Sequence, residues 1–145
     1  MAEFSIESNG RIEMTAVYYN GEQLAGVREV MLNLDENGTF DGVVRYLGSD
    51  GDEHSKQIFS EYLENSQTRE PAFTEEEARS LRLLTVESDG DIENTHVWID
   101  QQEQFGIVSL FVHIKAPTGT SEPPELRAEV TYRNDDGSQS TEGVF

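Results

Sequence analysis

Apolar residues fall at every second position through much of this chain, with Ile12, Met14, Ala16 and Tyr18 in one run and Leu126, Ala128, Val130 and Tyr132 in another. Successive side chains of a strand point to opposite faces, so this alternation predicts strands that bury one face. Strands are expected at about 3–8, 11–19, 23–35 and 39–48, and again at about 91–100, 105–115, 125–134 and 138–144. The run 105–115 is apolar on both sides, with Val108, Leu110, Val112 and Ile114 against Phe105, Ile107 and Phe111. That predicts a central strand overlaid by a second layer.

The pattern changes over about 53–85. Ile58, Phe59, Tyr62 and Leu63 stand at helical spacing. Further on, Thr74 and Glu77 form a capping-box signature, Phe73 is placed to pack on Ala78, and Leu81 and Leu84 continue an apolar stripe. A mostly helical connection is expected here, broken at Pro71 because the residue before a proline avoids helical geometry.

Six of the chain's Asn-Gly or Asp-Gly pairs, ending at Gly10, Gly21, Gly38, Gly51, Gly90 and Gly137, punctuate the strands. These pairs tolerate the positive φ that tight turns require. A three-residue loop at 8–10 sets Ile6 against Ile12, Phe4 against Met14 and Glu7 against Arg11. The same loop at 36–38 sets Leu34 against Phe40, Val30 against Val44 and Glu29 against Arg45. A two-residue loop at either place would oppose apolar to acidic residues.

The expected fold is therefore mainly β (α+β). It has about eight antiparallel strands in near-meander order, a barrel or a sandwich, in a single domain over 1–145 with a helical insertion at about 53–85. No internal repeat stands out. In outline this order, with the hairpin at 32–42, resembles the calycin type of ligand-binding barrel. The resemblance implies a pocket inside a closed barrel, while the helical insertion departs from the lipocalin plan.

Charge narrows the function classes. The 29 acidic and 10 basic residues give a formal net charge of −19. The acid is spread evenly, with 14 acidic and 5 basic residues up to position 72 and 15 and 5 beyond it. Such a surface repels phosphate backbones and anionic membranes, so no direct nucleic-acid or membrane binding is expected. Without cysteine the chain has no disulfide, thiol nucleophile or thiolate metal site. A soluble, cytoplasmic protein is expected, since no stretch approaches the roughly 18 apolar residues of a membrane span.

Catalytic chemistry finds little support. His54, His96 and His113 form no close-spaced pair, and neither a Gly-x-Ser-x-Gly elbow nor a phosphate-binding Gly-rich loop occurs. The acidic clusters at 50–53 and 89–93 do not fit the twelve-residue calcium loop. No catalytic residue, metal or cofactor is assigned. Arg28 stands out because the hairpin register puts it on an apolar face across from Tyr46, where a guanidinium needs an anion or an exit to water. With Tyr46, Tyr18 and Trp98 it makes the candidate ligand-binding set.

The leading expectation is a non-catalytic acidic interaction module engaging a protein partner with a basic surface. Two alternatives are a carrier of an acidic, apolar-tailed small molecule and a nucleic-acid mimic inhibitor. The dispersed acid also bears on stability, because self-repulsion is large against the roughly 5–15 kcal/mol that holds a domain together. The melting temperature should rise between about 0.02 and 1 M NaCl as the screening length shrinks, and should not fall on acidification to about pH 5. A melting temperature that drops with salt would show that local ion pairs outweigh the global field.

Overall fold

The computed structural model describes residues 2–59, 63–116 and 123–145. The first half comprises β1 (Ala2–Ser8), a 3-10 turn (Ile12–Met14), β2 (Thr15–Tyr19), β3 (Glu22–Ala25), β4 (Val27–Asp35), β5 (Phe40–Leu47) and β6 (Glu53–Gln57). A connection with β7 (Gln67–Arg69) and α1 (Glu75–Ala78) follows. The second half comprises β8 (Arg82–Ser88), a 3-10 turn (Ile92–Asn94), β9 (His96–Ile99), β10 (Gln102–Glu103), β11 (Ile107–Lys115), β12 (Glu125–Arg133) and β13 (Gln139–Gly143). These strands form two antiparallel sheets in the orders β10-β9-β8-β1-β2-β3-β7 and β13-β12-β11-β4-β5-β6, a sandwich-like arrangement. Among the described residues no ladder joins the sheets into a barrel. The mainly β class holds, with more and shorter strands than the alternation suggests.

With β7 set aside, the strand orders are mirrored about the β8–β1 and β11–β4 pairs, and the sequence repeats in step with them. Glu7-Ser8-Asn9-Gly10 and Ile12-Glu13 recur as Glu87-Ser88-Asp89-Gly90 and Ile92-Glu93, and Asp50-Gly51 recurs as Asp136-Gly137. The halves repeat the same hydrogen bonds and irregularities. Ser8 and Thr15 share a hydroxyl hydrogen bond of 2.7 Å, as do Ser88 and Thr95. Gly10 and Gly90 donate their N–H to Ser8 and Ser88 Oγ at 3.0 Å. Equivalent β-bulges interrupt Val27/Glu29 and Ile107/Ser109. The pseudo-twofold axis crosses one sheet at the Ser5–Thr85 pair and the other at Leu32–Val112, each residue facing its own counterpart. The expectation of no repeat is overturned: the later strands diverge in sequence while keeping the same turns and ladders.

The predicted register holds at one hairpin and fails at the other. All six predicted turn glycines have positive φ. At 36–38 the loop sets Glu29 against Arg45, Val30 against Val44 and Leu34 against Phe40, as the alternation requires. At 8–10, however, Ile6 faces Val17, Phe4 faces Tyr19 and Glu7 faces Ala16. The Ser8–Thr15 clamp, with Asn9 Oδ1 accepting from Arg11 N and Thr15 Oγ1 donating to Arg11 O, satisfies a longer loop. Ile12 and Met14 therefore sit in a 3-10 turn rather than a strand.

The helical connection is a second correction. Glu53–Gln57 pairs with β5, and Arg82–Ser88 pairs along the whole of β1. The capping box forms, with Thr74 Oγ1 and Glu77 Oε1 each accepting a backbone N–H at 3.1 Å, but its helix is only four residues long. Pairing with β1 offers residues 82–88 a full ladder, and that overrides the helical signal. Tyr62 lies outside the described residues; Ile58, Phe59 and Leu63 are buried, Phe59 edge-on to Phe4 and Phe40.

The core is a single cluster between the sheets, including Phe4, Ile6, Leu84 and Val86 from one and Leu32, Val44, Leu110 and Val130 from the other. The chain crosses between sheets at Gly26 and Gly106, with φ of 71° and 72°. At Gly26 a Cβ would come within 3.0 Å of the Leu47 carbonyl oxygen, so only glycine fits that corner. The outer side of β11 is not overlaid as predicted: Phe105 is 79% exposed, and Phe111 lies under the Arg127 guanidinium.

Ser8→Ala and Ser88→Ala each orphan the loop groups that bridge to the buried hydroxyl, at a cost of about 1–3 kcal/mol. Because the two loops are equivalent and sit at opposite ends of β1/β8, roughly 20 Å apart, the double variant should show the sum within about 0.5 kcal/mol. Urea unfolding checks both. Markedly unequal single effects would mean that the two loops carry different loads despite their shared geometry.

Candidate functional site

The four residues singled out in the sequence do not share one site. Arg28 falls in the bulge of β4, so Val27 and not Arg28 stands across from Tyr46. The extra residue of a bulge rotates the side chains that follow it, which a regular register cannot anticipate. Tyr46 is 1% exposed in the core, its hydroxyl donating to the Glu64 carbonyl at 2.6 Å and its ring stacked on His54. Tyr18 and Trp98 are counterparts on the outer face of the other sheet. Between them lie Ser5 and Thr85, with hydroxyls 3.3 Å apart. Burial, and next the nearby Glu7 carboxylate, raise the Tyr18 phenol, which donates to Glu7 at 3.2 Å.

The outer face of the second sheet carries a charge ladder across five strands. Arg45 bridges Glu53 at 2.7 Å and Glu29 at 3.2 Å, and His113 bridges Glu29 at 2.7 Å and Glu125 at 2.8 Å. Both ring nitrogens of His113 are thus engaged by carboxylates, one from each neighbouring strand. The hydrogen bond from His113 is the main cause holding the Glu29 carboxyl below the ordinary glutamate range, with Arg45 adding to it. Among the described residues no group of three metal-ligating side chains converges.

The sequence reading missed a pair of concavities between the sheets. At each end of the sandwich the corner glycine opens a groove between the sheets. The groove beside Gly106 holds about 350 Å³ and is lined by Ile92, Val97, Phe105, Ile107 and Leu110 with Asp35, Glu36, His96 and Glu103. Its counterpart beside Gly26 holds about 240 Å³ and is lined by Ile12, Val17, Leu24, Ala25, Val27 and Ile114. That second groove is flanked by β7, which pairs with β3 and brings Arg69 to its wall. Among the described residues no strand pairs with the outer side of β10, the counterpart of β3.

Aligning the halves exposes the difference. Gln23 corresponds to Glu103, Leu24 to Gln104 and Ala25 to Phe105, so the uncovered groove carries an added carboxylate and a large exposed ring. Its acids have local partners: Glu103 meets His96 Nδ1 at 3.2 Å, Glu36 pairs with Arg133, and Asp35 accepts from Asn37 and Thr39 N. The arrangement has a hydrophobic floor, an acidic rim and an aromatic lip, which suits an apolar segment bearing positive charge. The chain matches no known protein family, no curated protein and no solved structure.

The ladder sets a pH dependence. A carboxyl held below its ordinary value stabilises the fold while ionised, and that contribution is lost as pH falls through the lowered value. Glu29, Asp50 and Asp136 are all lowered, by His113, His54 and Ser138 respectively as first causes. Stability should therefore fall below about pH 4. Glu29→Gln should melt lower near pH 6 by the equivalent of at most about 1 kcal/mol, and should lose less than the parent between about pH 5 and 3. Parallel acid limbs in the two proteins would show that Glu29 contributes nothing to the fold.

Proposed function

We propose that this protein is a non-catalytic interaction module that engages a basic macromolecular partner, and that the groove beside Gly106 is its contact. The observation that carries the reading is Phe105, 79% exposed at the lip of an acid-rimmed groove. Here the ring continues into the apolar lining of the groove, and apolar surface rimmed by polar residues marks interaction sites, where aromatic anchors supply much of the energy. The −19 net charge supports a basic partner through steering and makes the association salt-sensitive.

Fluorescence anisotropy with labelled decapeptides that alternate apolar and basic residues tests this, with acidic versions as controls. The basic peptides should bind, weakening about tenfold or more between about 0.05 and 0.5 M NaCl. Phe105→Ser should weaken them about tenfold, the equivalent of about 1.4 kcal/mol, without lowering the melting temperature. Equal binding of acidic peptides, or indifference to Phe105, would remove the reading, and turnover on a hydrolase substrate panel would replace it with an enzyme.

A further inference from the structure

The backbone of β10 has one unused side. Asp100 and Gln101, with φ of 52° and 68°, form a two-residue turn that pairs Ile99 with Gln102, and Gln104 N donates to Val97 O at 2.8 Å. Hydrogen-bonded pairs alternate along an antiparallel ladder, so Gln102 and Gln104 point their backbone groups toward β9. Glu103 and Phe105 point theirs away, and among the described residues nothing hydrogen-bonds them. An open row of N–H and C=O groups is a template for another strand.

The molecule displays what such a strand looks like. On the equivalent edge of β3, Gln23 and Ala25 face outward and are paired by Arg69 and Gln67 of β7, antiparallel. Arg69 lies along the groove beside Gly26, where the positions equivalent to Asp35, Glu36 and Glu103 are Lys115, Ala116 and Gln23. In the second half the same frame is lined with three acids, and among the described residues no strand covers it.

We infer that the outer edge of β10 accepts an extended partner peptide by strand addition, antiparallel to residues 102–105, with a basic side chain opposite Glu103 lying in the groove beside Phe105. The occupant is a peptide segment of the basic partner, so the inference rests on the proposed function and specifies its mode. Main-chain bonds to Glu103 and Phe105 supply the pairing, and the acid rim selects the charge.

The test uses the full chain, isotope-labelled for NMR, and the acetylated, amidated peptide Lys-Ser-Gln-Thr-Arg-Lys, which keeps the Gln-Thr-Arg of β7 between lysines. Amide shifts should centre on residues 102–106. N-methylation of the peptide's arginine, which faces the edge, should weaken binding tenfold or more; N-methylation of its threonine, which faces away, should leave it within about twofold. Glu103→Lys should reverse the preference between this peptide and one with glutamate in place of arginine. Shifts elsewhere, or equal effects of the two N-methylations, overturn strand addition. If basic decapeptides still bind in that case, the acidic module stands; if they do not, both readings fall. A concentration-dependent dimer in sedimentation that disappears in Phe105→Ser would mean that the edge pairs with a second copy, which also overturns the partner peptide.

Discussion

Two ladders, β1 with β8 and β4 with β11, hold the molecule together. Each joins residues about eighty positions apart, and each lies at the centre of its sheet on the pseudo-twofold axis. Either half alone would leave both central edges open and one side of every core residue near the axis bare. The halves are thus each other's partner, as protomers are in a twofold dimer, where one patch meets its own copy. The core follows from this, since Leu32 and Val112 meet on the axis and both are 0% exposed. So does the folding problem: these contacts are non-local, and the entropy of closing the intervening chain must be overcome before either sheet is complete.

The acidity has a structural side as well as a global one. Many carboxylates sit in turns and accept backbone N–H groups there. Asp35 accepts from Asn37 and Thr39, Asp50 from Asp52, Asp89 from Asp91 and Asp136 from Ser138. A short side-chain acceptor two residues before a donor closes an Asx turn, so part of the negative charge is the material from which the turns are made. The ladder through Glu29 and His113 spends further charge locally. At the groove beside Gly106 the acids likewise meet single local partners, Glu36 with Arg133 and Glu103 with His96.

Sequence legibility followed locality. Alternation located the strands on either side of the core and the register of the hairpin at 36–38, because there one apolar face and one tight turn decide everything. The loop after Ser8 departs from the alternation because its closure depends on a hydroxyl seven residues on, at Thr15, and on a 3-10 turn that preserves the spacing of Ile12 and Met14. Residues 82–88 carry a helical stripe but take the ladder offered by β1, a tertiary choice that no local pattern records. Arg28 and Tyr46 were paired by a regular register that the bulge breaks. The groove at Phe105 left a readable trace, the recurrence of Glu-Ser-x-Gly-x-Ile-Glu, but only alignment of the halves turns Phe105 from one more core residue into an exposed one.

Duplication also separates what the frame needs from what it merely permits. Positions with the same residue in both halves are those the backbone geometry demands: Ser8 and Ser88 in the clamp, Gly26 and Gly106 at the corner, Asp50-Gly51 and Asp136-Gly137 in the turn, Tyr46 and Tyr132 beneath it. Gln23, Leu24 and Ala25 become Glu103, Gln104 and Phe105 on the same trace, and the corner forms equally well with either set. The fold therefore does not require a phenyl ring at this corner, and holding one in water forgoes the roughly 1.5–3 kcal/mol that burying it would yield. On β3 the edge is closed and the side chains are bland; on β10 the edge is open and they are charged and aromatic. Among the described residues, then, the two corners share one backbone trace and differ in their side chains and in the strand β7, which pairs with β3 alone.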